Sequence, residues 1–195
     1  SEMIFERRLG IHTIGYLDRD QLDISCRESN FYAPSSYLDF RRIMRHVKVR
    51  PGRDVFLDYG AGMGRVAIMA AGFPFARVLG VEISEKLCEV ARENVERVRP
   101  RLRCRDIEIA QADAESFEIP DDVTVVYMYN PFRGRLLASV IDRMRASVER
   151  RPRPLRLIFK NTAYLVDVTD RIGWLEPVCD VDCMTGHRCT IFESR

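Results

Sequence analysis

The sequence predicts an α/β fold in which a parallel sheet is covered by helices on both faces. Two observations predict it. Short apolar runs alternate with helical apolar spacings along most of the chain, and one run, Val55 to Tyr59, passes through Gly60, Gly62 and Gly64 into a helical pattern, followed by a second strand ending at Glu82. Alternation of this kind implies strands joined by crossover helices. An apolar strand, a glycine-rich turn, a helix and an acidic strand end about 20 residues on are the layout of a nucleoside-binding βαβ unit.

Taken in order, residues 1–30 are the least regular. Gly10 to Leu17 mixes apolar and turn residues, and the segment to Ser29 reads as an irregular lid or an extra helix. Pro34 suits a helix start, and Tyr37, Phe40, Ile43, Met44 and Val47 follow at helical spacing, which predicts a helix over 35–48 that stops before Pro51-Gly52. Val55 to Asp58 is a strand, Arg65 to Gly72 a helix and Arg77 to Glu82 the next strand. Ser84 can cap a helix with Leu87, Val90, Ala91, Asn94, Val95 and Val98 in one stripe, stopping before Pro100. Ile107 to Ala110 is a third strand, and Val123 to Tyr129 is apolar enough for a strand buried on both faces. Leu136, Leu137, Val140, Ile141 and Met144 mark a helix, Leu155 to Phe159 a strand, residues 163–172 a short helix, and 175–183 with 188–193 a closing hairpin.

At 195 residues and 46% hydrophobic content the chain suits one domain with a sizeable core. No apolar stretch approaches the ~20 residues of a membrane helix, and the start lacks the pattern of a signal peptide, so a cytoplasmic protein with no membrane partner is expected. Of six cysteines, Cys179, Cys183 and Cys189 lie near His187, but their spacing matches no common zinc module and Cys179, Val181 and Cys183 alternate as one face of a strand would. Reduced core thiols and no metal are expected. A net charge of +2 implies no global field toward nucleic acid. The run Arg150-Arg151-Pro152-Arg153 reads as a solvated loop, Lys160 after its strand as a snorkelling surface lysine, and the three histidines have no visible partner for base catalysis.

Spacing decides which nucleoside the glycine turn serves. The dinucleotide fingerprint would need glycine at position 65, where this chain has Arg65; it reads instead Asp58-x-Gly60-x-Gly62-x-Gly64. With Glu82 behind it, this pattern resembles motif I and the following acidic motif of the class I S-adenosylmethionine-dependent methyltransferases. Ile109 to Ala114 is similar to that family's strand 3 exit, and Val125 to Phe132, ending Tyr129-Asn130-Pro131-Phe132, to its motif IV. Tyr32-x-Pro34 ahead of a helix resembles a group of small bacterial members.

The resemblance implies a Rossmann-like three-layer αβα sandwich with a mostly parallel seven-stranded sheet and one antiparallel strand in the C-terminal hairpin. Residues 1–34 would be an N-terminal extension or lid and 35–195 the methyltransferase domain. S-adenosylmethionine would be held by Asp58, Gly60, Ala61, Gly62, Gly64, Glu82, Ile83, Ala112, Asp113, Ala114 and Asn130, with Glu82 on the ribose hydroxyls and Asp113 on the adenine amino group. Asn130, Pro131, Phe132 and Tyr32 would frame the acceptor. In relatives acting on planar nitrogens, an Asn or Asp in a related loop accepts from the NH2 group while an aromatic ring stacks on the acceptor. Here one proline of that loop is missing and the ring falls one place earlier. A nitrogen acceptor is the expectation. A protein lysine acceptor, a non-catalytic cofactor-binding regulator and an NAD-dependent oxidoreductase are the alternatives, the last disfavoured by Arg65.

Overall fold

A computed structural model describes residues 2–15 and 32–195, apart from the side chain of Asp167. Helix α1 spans Glu2–Leu9, and residues 16–31 of the predicted lid lie outside the described residues. Helix α2 is Tyr37–Met44, shorter than predicted. Ser36 caps it by accepting from the Asp39 N–H, and the chain beyond Met44 tightens into i to i−3 bonds, His46 to Ile43 and Val47 to Met44. Val47 keeps the helical spacing and its burial although it lies in that tightened turn.

Strand β1 (Val55–Tyr59) is followed by α3 (Arg65–Ala71), β2 (Arg77–Glu82), α4 (Glu85–Val98) and β3 (Ile107–Gln111). Ser84 caps α4 by accepting from the Leu87 N–H. Then come β4 (Val123–Tyr129), α5 (Gly134–Arg150), β5 (Arg156–Lys160), β6 (Leu175–Asp182) and β7 (Arg188–Ser194). The short helix predicted near 163–172 is a 3-10 helix, Thr162–Val168.

The strands form one sheet in the order β3-β2-β1-β4-β5-β7-β6, with β7 antiparallel to both its neighbours and the other adjacent pairs parallel. One face packs Phe56, Val125, Tyr127 and Ile158 against α2, α3 and α4; the other packs Leu57, Val126, Met128 and Leu157 against α5. This is the expected Rossmann-like three-layer sandwich. The order reverses between β1 and β4, so the carboxyl ends of these strands flank the crevice where open α/β sheets bind ligands. No helix among the described residues is long and apolar enough to cross a membrane.

The Arg150 run is less solvated than its composition suggests. Arg153 donates to the carbonyls of Val123, Ser147 and Arg151, and Arg150 pairs with Asp121, so the run ties the α5–β5 corner to β4. Cys183 and Cys189 are buried in the core on the α2 face, with Cys179 packed against it; Cys26 lies outside the described residues.

Candidate active site

The glycine turn adopts the backbone its sequence requires. Gly60, Gly62 and Gly64 have φ of 74°, 54° and 82°, a region side chains rarely enter. The space that their missing Cβ atoms leave is used by the protein itself. A Cβ on Gly60 would meet Pro131 Cβ at 2.6 Å, one on Gly62 would meet Tyr32 Cε2 at 2.2 Å, and one on Gly64 would meet Ala91 at 3.1 Å. The turn is therefore gripped by motif IV through Pro131, by the chain before α2 through Tyr32, and by α4 through Ala91.

Glu82 is buried at the tip of β2 and bonded throughout: Gly62 N–H donates to Oε2 at 2.9 Å, and the N–H groups of Ile83 and Ser84 donate to Oε1 at 2.9 and 3.0 Å. Burial raises its pKa, and these three donors work against that rise. Asp58 differs. It is fully buried, its Oδ2 has no hydrogen-bond partner among the described residues, and burial together with the nearby Glu82 pushes its pKa well above the ordinary value.

Asp58 lines a cavity of about 30 Å3 with Tyr32, Ser35, Gly60, Tyr127 and Tyr129, room for about two waters. The hydroxyls of Ser35 and Tyr127 are hydrogen-bonded at 2.9 Å.

The other predicted residues divide. Ala61 is buried under the turn, Ile83 is exposed at the lip, and Ala112 and Ala114 are half-buried against the α5-side core. Asp113 is exposed, and its Oδ1 accepts from the Glu115 N–H, so it holds its own turn. Asn130 sits just past β4 with φ 47°, a left-handed conformation that asparagine tolerates, and Pro131 closes over Gly60. Phe132 is turned away. It is buried in the α5-side core with its ring 6.0 Å from that of Tyr59, edge to face, so the expected stacking on an acceptor does not suit its position.

Two clusters were not anticipated. Arg65, noted in the sequence only for not being glycine, is buried; it ion-pairs with Glu6 at 3.0 Å and Glu2 at 2.6 Å, donates to Thr13 Oγ1 and the Ser35 carbonyl, and lies over the Tyr37 ring. Lys160 is not a surface lysine. It is completely buried, 3.0 Å from Asp39 Oδ2, with Nζ 4.3 Å from the Tyr129 ring centroid. Asp39 also accepts from the Met184 N–H and the Thr185 hydroxyl. Burial alone would raise its pKa, but Thr185, Lys160 and Met184 together bring it below the ordinary value.

A glycine turn between β1 and α3, a carboxylate at the tip of β2 and a crevice at the sheet's reversal point define a nucleoside-binding α/β protein. Residues 56–151 match the model of the methyltransferase domain family, in line with the resemblance to the class I S-adenosylmethionine-dependent methyltransferases. The ribosomal protein L11 methyltransferase of Caldicellulosiruptor bescii is 37% identical over 117 residues, 60% of this chain and 33% of the relative, so the chain spans about a third of that curated protein. Among solved structures, an RNA methyltransferase from Salinibacter ruber in complex with S-adenosyl-L-homocysteine superposes with a TM-score of 0.59 at 23% identity, over 83% of this chain and 94% of that one. The ribosomal protein L11 methylase of Lactobacillus delbrueckii subsp. bulgaricus gives 0.59 at 15%, over 83% and 80%.

The residues present fit the family's cofactor. Asp58 offers an unused buried acceptor and Glu82 a second carboxylate at the strand tip.

Proposed function

We propose that this chain transfers a methyl group from S-adenosylmethionine to a nitrogen atom of its acceptor. The observation that carries the reading is the unpartnered Oδ2 of Asp58 at the floor of the crevice, with Pro131, next to Asn130, closing over Gly60. The cofactor, when bound, supplies an electrophilic methyl on a sulfonium. What the chain contributes is placement, since an in-line displacement needs alignment and no covalent nucleophile. Asp58 and the glycine turn hold the amino-acid end, Glu82 the ribose, and Ile83, Ala112, Asp113 and Ala114 the adenine. Asn130 supplies an acceptor for an N–H of the incoming nitrogen as charge develops on it, and Tyr32 and Tyr129 wall the approach. Residues 35–195 form the methyltransferase domain. A cytoplasmic setting suits its buried, unpaired thiols.

A protein acceptor is the second reading, supported by the name of the 37% identical relative. The test is thermal unfolding with ligands. S-adenosylhomocysteine at about 100 times its dissociation constant stabilises by about 2.7 kcal/mol and NAD does not. A shift with NAD alone overturns the reading. Transfer of labelled methyl to a panel of small amines, RNA and ribosomal proteins then selects the acceptor.

A further inference from the structure

We infer that residues 2–15 belong to the cofactor crevice, and that Tyr32, held from behind by Thr13, Glu6 and Arg65, is a positioning residue that sets how long the cofactor stays bound. This rests on the proposal that the crevice holds S-adenosylmethionine. Tyr32 touches both parts of that crevice. Its ring lies against Gly62 closely enough that a Cβ there would overlap it, and it lines the cavity that Asp58 floors.

Its hydroxyl reaches away from the turn and donates to the Thr13 carbonyl at 2.7 Å. Thr13 is fully buried; its N–H donates to Glu6 Oε1 at 2.9 Å, its hydroxyl donates to the same oxygen, and Arg65 Nε donates to that hydroxyl at 2.6 Å. Arg65 closes the circuit by donating to Glu6 Oε1 at 3.0 Å. Because Arg65 is the first residue of α3, the chain of contacts begins on the glycine turn at Gly62 and returns to it within one residue of Gly64.

A second tie reinforces the first. Asn94 of α4 exchanges hydrogen bonds with the backbone of His12 and also donates to the Met63 carbonyl inside the turn. Moving Tyr32 off the turn therefore means disturbing a buried charged network, and a ring fixed in this way needs no ordering when a ligand binds beneath it. Such a buried network is weak evidence for stability as such. Its placement around one turn, with Tyr32 also lining the Asp58 cavity, points to ligand retention.

The experiment compares the wild type with Tyr32→Phe, which keeps the ring and loses the hydroxyl, and with Tyr32→Ala. The dissociation rate of S-adenosylhomocysteine is read by stopped flow, its affinity by calorimetry, and the melting temperature without ligand. Tyr32→Phe should release S-adenosylhomocysteine about tenfold faster and Tyr32→Ala faster still, with the unliganded melting temperature of Tyr32→Phe within about 4 °C of wild type. Glu6→Gln should move the release rate in the same direction. Wild-type release rates in both Tyr32 variants overturn the inference, as does faster association with release unchanged. A wild type that fails to bind S-adenosylhomocysteine removes the cofactor reading itself and this inference with it, a result distinct from tight binding that ignores Tyr32.

Discussion

On the β2 side of the crevice, Glu82 is held by N–H groups of its two successors and of Gly62, 20 residues away. On the β5 side, Lys160 meets Asp39 of α2, and Asp39 in turn accepts from Met184 and Thr185, 145 and 146 residues further along. Both places bury a carboxylate at the carboxyl edge of one sheet. The first is solved by backbone donors that any sequence with the same turn would provide. The second is solved by two side chains, Lys160 and Thr185, and the Met184 N–H, which only the finished fold brings to Asp39.

This difference sets the largest effect we expect. Asp39→Ala leaves the Lys160 ammonium buried without its counter-charge, and removing one partner of a buried pair costs about 3–5 kcal/mol. The double variant Asp39→Leu with Lys160→Met should recover most of that loss, because exchanging such a pair for apolar groups is often neutral. Urea denaturation of the single and double variants checks this. A double variant as unstable as Asp39→Ala would show that the hydrogen bonds to Met184 and Thr185 carry the cost, and that the ion pair does not.

Glu82→Ala comes next. Three N–H groups lose a charged acceptor, and hydrogen bonds to charged groups are worth about 1.5–3 kcal/mol each when their partners stay buried. Water can reach the lip at Ile83, which is partly exposed, so a net loss of about 2 kcal/mol in stability is expected along with weakened S-adenosylhomocysteine binding. The location at a strand tip alone suggests that such a variant would fold with unchanged stability; the bonds to Gly62, Ile83 and Ser84 argue otherwise. Glu82→Gln, which keeps an acceptor, should lose less on both measures. Equal stability of Glu82→Ala and wild type would mean that the turn holds its shape without the carboxylate.

How far the sequence could be read follows the same division. The alternation of strand and helix, the glycine spacing and the acid after β2 are local patterns, and each element from β1 to β7 lies within a few residues of its predicted place. The Asp39–Lys160 pair was invisible for a specific reason: each residue has an adequate local explanation. Asp39 reads as a first-turn acid favourable to a helix dipole, and Lys160 as a strand-end cation reaching for water. Arg65 likewise registers only as a departure from glycine, because Glu6 and Thr13, which account for it, lie in the least patterned part of the chain. Phe132 was misplaced because a turn after β4 does not reveal which way its third residue faces; the positive φ of Asn130 and the packing of Pro131 on Gly60 send the ring to the α5 side.

Asp58 offers a pH test of the β1–β2 side. Its folded pKa lies above its ordinary value of 3.8, chiefly through burial and then through Glu82. A raised carboxyl pKa means that the folded state holds its proton more tightly than the unfolded chain. The contribution is therefore complete below about pH 3.8 and is lost as pH rises through the folded value. Stability of the unliganded protein should thus fall as pH rises above about 3.8 by more than its other carboxylates account for, and Asp58→Asn should flatten that slope. An identical slope in Asp58→Asn would show that water reaches Oδ2 and relieves the burial.

The smallest effect belongs to the opposite end of the sheet, and it isolates burial as the variable in the comparison. Arg77, at the start of β2, donates to both oxygens of Asp122 at 2.8 and 3.0 Å, a better hydrogen-bonding geometry than Lys160 has with Asp39. Yet the Asp122 side chain is 49% exposed and that of Arg77 27% exposed. Water already solvates both charges and salt screens them, so the pair gains little by forming and its members lose little when parted. Asp122→Ala should cost under about 1 kcal/mol, and the difference from wild type should shrink further as ionic strength rises from 0.05 to about 0.5 M. Asp39→Ala should be almost insensitive to the same change, since its charges are out of reach of counter-ions. A salt-insensitive loss in Asp122→Ala as large as that of Asp39→Ala would mean that hydrogen-bond geometry, and not burial, decides what an ion pair is worth in this protein.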